Sequence, residues 1–126
     1  LALARRSEGD GEKAKLPAPE MMTREAALLL EAVPAGARLV ALDERGRDLA
    51  SADFAALLGG WRDAGTSDIG FVIGGADGLD ESVRRRADLL LAFGRATWPH
   101  MMVRGMLAEQ LYRAQQILAG HPYHRE

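Results

Sequence analysis

The 126-residue chain contains no cysteine. Disulfide staples and thiolate metal sites are therefore excluded, and the composition fits a reducing cytoplasm. No apolar run approaches the roughly 20 residues that a membrane-spanning helix needs, so no membrane partner is expected. The opening Leu1-Ala2-Leu3-Ala4 is too short for a signal-peptide core, and Arg5-Arg6 follow it instead of preceding it. A cytoplasmic location is the expectation. Internal repeats and low-complexity tracts are absent. Ser7, Ser51, Ser67 and Ser82 lack a nucleophile-elbow setting, which removes a Ser/His/Asp hydrolase. Histidine is scarce: only His100, His121 and His124. The last two, three residues apart, lack a third ligand, so no metal site is expected. The net charge of −2 argues against a uniformly basic nucleic-acid binder.

What is present points to one domain. Hydrophobic residues make up 48% of the chain, enough for a core without covalent staples. Charge is unevenly spread. Residues 1–80 hold 9 Lys/Arg against 14 Asp/Glu, whereas residues 81–126 hold 7 Arg against 4 Asp/Glu. The second part is the plausible polyanion-binding face, and arginine suits phosphate through its bidentate geometry. For Arg84-Arg85-Arg86 alone, a solvated helix face is the simpler reading.

Residues 5–20, with Gly9, Gly11, Pro17 and Pro19, predict a loop. Thr23 is placed to cap a helix through Glu25, Leu28, Leu29 and Ala32, ended by Pro34 and Gly36. Leu39-Val40-Ala41-Leu42 predicts a buried strand, and Asp43-Glu44-Arg45-Gly46 a turn. Ser51 is placed to cap a second helix bearing Phe54, Leu57, Leu58 and Trp61, closed by Gly65. Ile69–Ile73 predicts another buried strand, and Asp80 the cap of a short helix. Leu89–Phe93 is a third apolar run. A long helix is expected over roughly 100–119, with Val103, Met106, Leu107, Leu111, Ala114, Ile117 and Leu118 as its buried stripe and Gly120 as its stop. Continuously apolar strands alternating with helices give an α/β fold, a mostly parallel sheet covered by helices on both faces. Ligands of such sheets bind beyond the strand carboxyl ends. Leu42-Asp43, Gly74-Gly75 and the stretch after Phe93 would converge there.

Gly74-Gly75-Ala76-Asp77-Gly78 joins a strand to a helix cap, and its glycines allow close backbone approach to a ligand or merely a tight turn. It is no P-loop, since no Gly-Lys-Ser/Thr follows, and its spacing is not that of a dinucleotide fingerprint. Phe93-Gly94-Arg95-Ala96-Thr97-Trp98-Pro99-His100 offers backbone groups able to read a purine edge, with Trp98 equally suited to a core. Arg104 shares a helix face with His100. Arg113 falls four residues after Glu109, so it meets either that carboxylate or a phosphate. The terminal His121-Pro122-Tyr123-His124-Arg125-Glu126 concentrates two imidazoles, a phenol and a guanidinium on a segment stiffened by Pro122. It reads either as a site built from the terminus or as a solvated tail.

Phe71-Val72-Ile73-Gly74-Gly75-Ala76-Asp77-Gly78, Thr97-Trp98-Pro99-His100, Val103-Arg104, Glu109-Gln110-Leu111-Tyr112-Arg113-Ala114 and the terminal hexapeptide together resemble the ribosomal RNA large subunit methyltransferase H family of the SPOUT superfamily. Order and spacing match over roughly residues 35–126. The resemblance implies a homodimer, a C-terminal trefoil knot, and S-adenosyl-L-methionine-dependent methylation of 23S rRNA at N3 of a pseudouridine near the decoding centre. It implies cofactor contacts at Leu42, Gly74, Gly75, Phe93, Gly94, Arg95, Ala96, Thr97 and Trp98. Arg104, Tyr123 and His124 become the candidates for catalysis, and Arg113, His121 and Arg125 for RNA binding. The N-terminus departs from the family pattern. Only Leu1–Ala4 precedes the polar loop, so about 35 residues of a first strand–helix unit are expected to be missing. The family often carries Leu or Phe where Trp98 stands. The competing reading is a non-catalytic dimeric α/β module that binds a nucleotide or RNA, which the acidic first part of the chain favours.

Overall fold

The computed structural model describes residues 2–5, 18–74, 79–94, 96 and 98–120. In chain order its elements are β1 (Ala2–Arg5), α1 (Ala18–Ala32), β2 (Arg38–Asp48), α2 (Ser51–Asp63), β3 (Ile69–Ile73), α3 (Glu81–Arg86), β4 (Leu89–Ala92) and α4 (His100–Leu118). The four strands form one sheet in the order β1-β3-β2-β4. Every neighbouring pair is parallel, with Leu42 opposite both Ile73 and Leu91. The fold is α/β, as the continuously apolar strands require.

Strand side chains alternate between two clusters, the period-2 consequence of the pleat. Val40, Leu42, Phe71, Ile73 and Leu91 pack with Phe54, Ala55 and Leu58 of α2 and with Leu107 and Ala114 of α4. Leu39, Ala41 and Val72 pack with Ala26 of α1, Leu79 and Val83 of α3. Phe71, Leu39 and Leu107 are among the largest fully buried side chains. Removing one such side chain typically costs about 2–5 kcal/mol, so these contacts fix how α2 and α4 lie against the strands.

Several local expectations are corrected. The turn expected at Asp43–Gly46 is a bulge inside a longer strand. β2 pairs with β4 through Leu42, skips residues 43–46, and pairs again at Arg47 and Asp48. Gly46 is needed for close approach, not for a turn: a Cβ there would lie 2.7 Å from the backbone of Leu90 and Leu91. The loop expected over 5–20 is overturned at both ends, because Arg5 belongs to β1 and residues 18–20 open α1; residues 6–17 lie outside the described residues. Thr23 is thus interior to α1, and Pro19 is accepted because first-turn N–H groups have no helical partner anyway. Ala50 stands at the cap position of α2, and the Ser51 hydroxyl instead donates to Gln110 Oε1 of α4 at 2.7 Å. Leu118, expected in the buried stripe, is 37% exposed, since α4 buries Leu107 and Ala114. Ala2–Arg5, for which no strand was expected, forms β1 and pairs with β3.

Other expectations hold. Asp80 caps α3, its carboxylate accepting from the Ser82 N–H at 3.0 Å and the Ser82 hydroxyl at 2.6 Å. Gly65 and Gly120 sit just beyond α2 and α4 with φ of 96° and 74°, the left-handed conformation that ends helices.

Candidate functional site

The chain leaves β2 toward the cluster containing α2, and leaves the neighbouring β3 toward the cluster containing α3. Adjacent parallel strands whose connections depart to opposite faces create a crevice at their carboxyl ends, the usual ligand site of such sheets. Leu42 and Gly74 line this point, and the Gly74 N–H donates to the Leu42 carbonyl at 3.4 Å. On the other side of β2, Phe93 and Gly94 follow the end of β4. The structure therefore brings together the described members of the three expected segments: Leu42, Gly74, and Phe93 with Gly94.

The loop after β4 is held by two further bonds. The Gly94 N–H donates to Asp48 Oδ1 at 2.7 Å, and the Trp98 indole N–H donates to the Phe93 carbonyl at 2.8 Å. Trp98 is 42% exposed, so the core reading of this side chain does not apply. It closes the turn that carries Gly94, whose φ of 87° suits glycine. Among the described residues, none places a heavy atom within 4 Å of a Cβ built on Gly94. Ala96 is exposed. Gly75, Arg95 and Thr97 lie outside the described residues, as do the tail residues His121, Tyr123, His124 and Arg125.

Arg104 lies one turn into α4, its Nη1 3.8 Å from Met101 Sδ. Arg113, nine residues on, stands about 13 Å further along the helix axis. Its guanidinium grips Glu109 at 2.7 and 3.2 Å, so a phosphate at this position would have to compete with that carboxylate. The arginine run of α3 is largely committed to pairs within the chain. Arg84 reaches Asp43 at 3.2 Å, and Arg86 meets Asp88 at 3.4 Å and donates to the Ala37 carbonyl at 2.8 Å. Among the described residues, no group of three or more His, Asp or Glu is placed to hold a metal ion. No described helix is long and apolar enough to cross a membrane.

Asp48 escaped the sequence reasoning, and Asp43, expected beside Leu42 at the strand end, was not expected as a tie. Asp43 opens the β2 bulge and holds α3, and Asp48 follows the bulge and holds the Gly94 loop. A bulge has no periodic signature, so composition assigned this segment to a turn. A cleft of about 390 Å³ also opens between α2 and α4, lined by Leu58, Arg62, Leu111 and Leu118. It adjoins Ile69, at the amino end of β3, and so lies away from the strand carboxyl ends.

Comparison with known proteins adds independent information. A family model described as "Predicted SPOUT methyltransferase" matches residues 4–124. The chain is similar to the ribosomal RNA large subunit methyltransferase H of Rhodospirillum centenum, 76% identical over 106 residues, 84% of this chain and 70% of that protein. The protein of the same name from Paramagnetospirillum magneticum is 62% identical over 114 residues, 90% of this chain and 75% of that one. That of Paracoccus denitrificans is 63% identical over 105 residues, 83% and 67% respectively. A crevice at a strand-end switch point, a matched family model and this level of identity lead to one conclusion: the chain belongs to the ribosomal RNA large subunit methyltransferase H family of SPOUT methyltransferases.

Proposed function

We propose that this chain binds S-adenosyl-L-methionine at the carboxyl ends of β2, β3 and β4 and methylates 23S rRNA, at N3 of a pseudouridine near the decoding centre. The observation that carries the reading is the meeting of Leu42, Gly74 and Phe93-Gly94 at the switch point of a parallel sheet. The residues present fit such a donor. No described residue crowds Gly94, which leaves its main chain approachable by a ligand. Leu42 and half-buried Phe93 supply apolar wall, and the turn closed by Trp98 supplies backbone groups for a purine edge. A pocket of this kind fixes its ligand with few polar groups and needs no charged side chain. The bound donor supplies an electrophilic methyl group on a sulfonium.

The protein's part is to bind, orient and manage a proton. Gly75, Arg95, Ala96 and Thr97 complete the cofactor-holding set with Leu42, Gly74, Phe93, Gly94 and Trp98. Holding the target nitrogen in line with the methyl group supplies much of the rate through positioning. The N3 proton must leave; a neutral His124 imidazole accepts it, directly or through the Tyr123 hydroxyl, which gives up its own proton as it receives the other, and Arg104 stabilises the developing anion. His121 and Arg125 engage phosphates, as does Arg113 when it exchanges Glu109 for one. The C-terminal segment threads a trefoil knot, helices cover both sheet faces, and the tail of one protomer completes the site of its partner in a homodimer. The two core clusters on alternate strand residues support the two-sided cover. A ribosomal substrate places the enzyme in the cytoplasm.

The test is calorimetric. S-adenosylmethionine and S-adenosylhomocysteine are expected to bind with micromolar dissociation constants, about −8 kcal/mol. Deleting residues 121–126 is expected to spare that binding and abolish methyl transfer to 23S rRNA in ribosomal particles. A folded chain that binds neither compound would be a non-catalytic module instead. Loss of binding together with transfer would make the tail a structural element.

A further inference from the structure

We infer that Asp43 and Arg84 form a positioning pair for the methyl-donor pocket, an assignment that rests on the strand-end reading above and deepens it. Asp43 follows Leu42 directly, at the point where β2 leaves β3 and enters its bulge. Its carboxylate is almost withdrawn from water, 4% exposed, and the Arg84 side chain is only 18% exposed. Oδ2 meets Arg84 Nη1 at 3.2 Å, while Oδ1 accepts from the Arg45 N–H at 2.8 Å. One oxygen thus shapes the bulge and the other ties it to α3. Arg84 is itself oriented, since its Nε donates to Glu81 Oε2 at 3.3 Å. Its neighbour Arg85 is 75% exposed and reaches Glu81 only at 3.9 Å. One member of the run has therefore been drawn inward to a specific acceptor.

The placement gives the pair its role. Leu42 and Asp43 are consecutive, and between them they hold Gly74 and α3: the Leu42 carbonyl takes the Gly74 N–H and the Asp43 carboxylate takes Arg84. Gly74 follows the last residue of β3, and α3 is the next element of the chain. The spacing between the Leu42 and Gly74 backbones, both cofactor contacts in the proposed pocket, is thus set against a bulge that the pair immobilises. Stability alone does not require this arrangement. α3 already has buried Val83 and the Asp80 cap, and a desolvated ion pair adds little net stability over a neutral, well-packed replacement. What it adds is a fixed backbone geometry before the ligand arrives, which raises affinity by lowering the ordering cost of binding.

The experiment titrates S-adenosylhomocysteine into the wild-type chain, the Asp43→Asn/Arg84→Met double variant and Arg84→Lys, with thermal unfolding and the Gly74 amide resonance recorded for each. The double variant removes both charges together and so leaves none buried alone. It is expected to unfold close to the wild-type temperature, to bind about tenfold more weakly, and to show a displaced Gly74 amide signal. Arg84→Lys keeps the charge but not the fork that engages Asp43 and Glu81 together, and is expected to bind with intermediate affinity. It decides the matter if the double variant does not fold. Wild-type affinity in whichever variant decides, or a loss that merely follows a lowered unfolding temperature, overturns the inference while leaving the pocket in place. Failure of the wild-type chain to bind overturns the pocket, and the pair's role with it.

Discussion

A methyl group on Gly46 would lie 2.7 Å from the Leu90 carbonyl carbon and from backbone atoms of Leu91, none of which can move without shifting β4. The backbone of Gly46 is outside the left-handed region, so the demand is for space alone. Gly59 looks similar by distance, 2.8 Å to Leu118 Cδ2, but the obstacle there is the tip of a flexible, partly exposed side chain. The two glycines should therefore respond in opposite ways. Gly46→Ala is expected to destabilise by about 1–3 kcal/mol through overpacking against backbone. Gly59→Ala is expected to be neutral or stabilising, because alanine gains about 1 kcal/mol over glycine inside a helix and Leu118 can swing aside. Urea midpoints at unchanged slope would check both. A Gly46→Ala chain as stable as wild type would mean that the bulge is not pressed against β4.

At the scale of elements, what the sequence revealed and what it hid divide along sequence separation. β3 and β4 are apolar runs of Ile69–Ile73 and Leu89–Ala92, and α4 carries its signal in Leu107 and Ala114 seven residues apart. Such patterns are local, so they are legible. The second half of β2 is not, because Asp43-Glu44-Arg45-Gly46 has the composition of a turn and the strand resumes only where Arg47 and Asp48 pair with β4. The place of the candidate site was legible for a related reason: parallel sheets expose their crevice where paired strands part, and the apolar runs mark where β2 parts from β3 at Leu42 and where β3 and β4 end. Its supports were hidden. Asp48 and Gly94 are separated by 46 residues, and nothing in either neighbourhood announces the bond. Its importance can be measured. Asp48 is exposed, so water can replace it for Gly94, and Asp48→Ala is expected to cost less than about 1 kcal/mol of global stability. Amide exchange at Gly94 should nonetheless accelerate well beyond that at Leu91 in the middle of β4. Equal exchange at Gly94 in variant and wild type would show that Trp98 alone holds the turn.

For the whole molecule the uneven charge matters less as a sum than by where it is bound. The basic balance of residues 81–126 is partly committed, since Asp43, Asp88 and Glu109 hold Arg84, Arg86 and Arg113. A single copy therefore offers a polyanion less than the residue count indicates, and the homodimer proposed above would double what remains. One surface suits that assembly. Met101, Gly105, Ala108 and Tyr112 recur at helical spacing on α4, all exposed and none charged, and no described residue lies within 4 Å of a Cβ built on Gly105. Small residues between larger apolar ones let a second helix approach closely. A two-fold interface sets each such patch against its own copy, so one introduced charge meets its equivalent across the axis. Ala108→Glu is accordingly expected to convert a micromolar dimer to monomer in light scattering with helix content unchanged by circular dichroism, and to lower methyl transfer if the partner's tail completes the site. A variant that stays dimeric would move the interface off this face of α4, and a wild-type chain that is monomeric at every concentration would remove the shared site altogether.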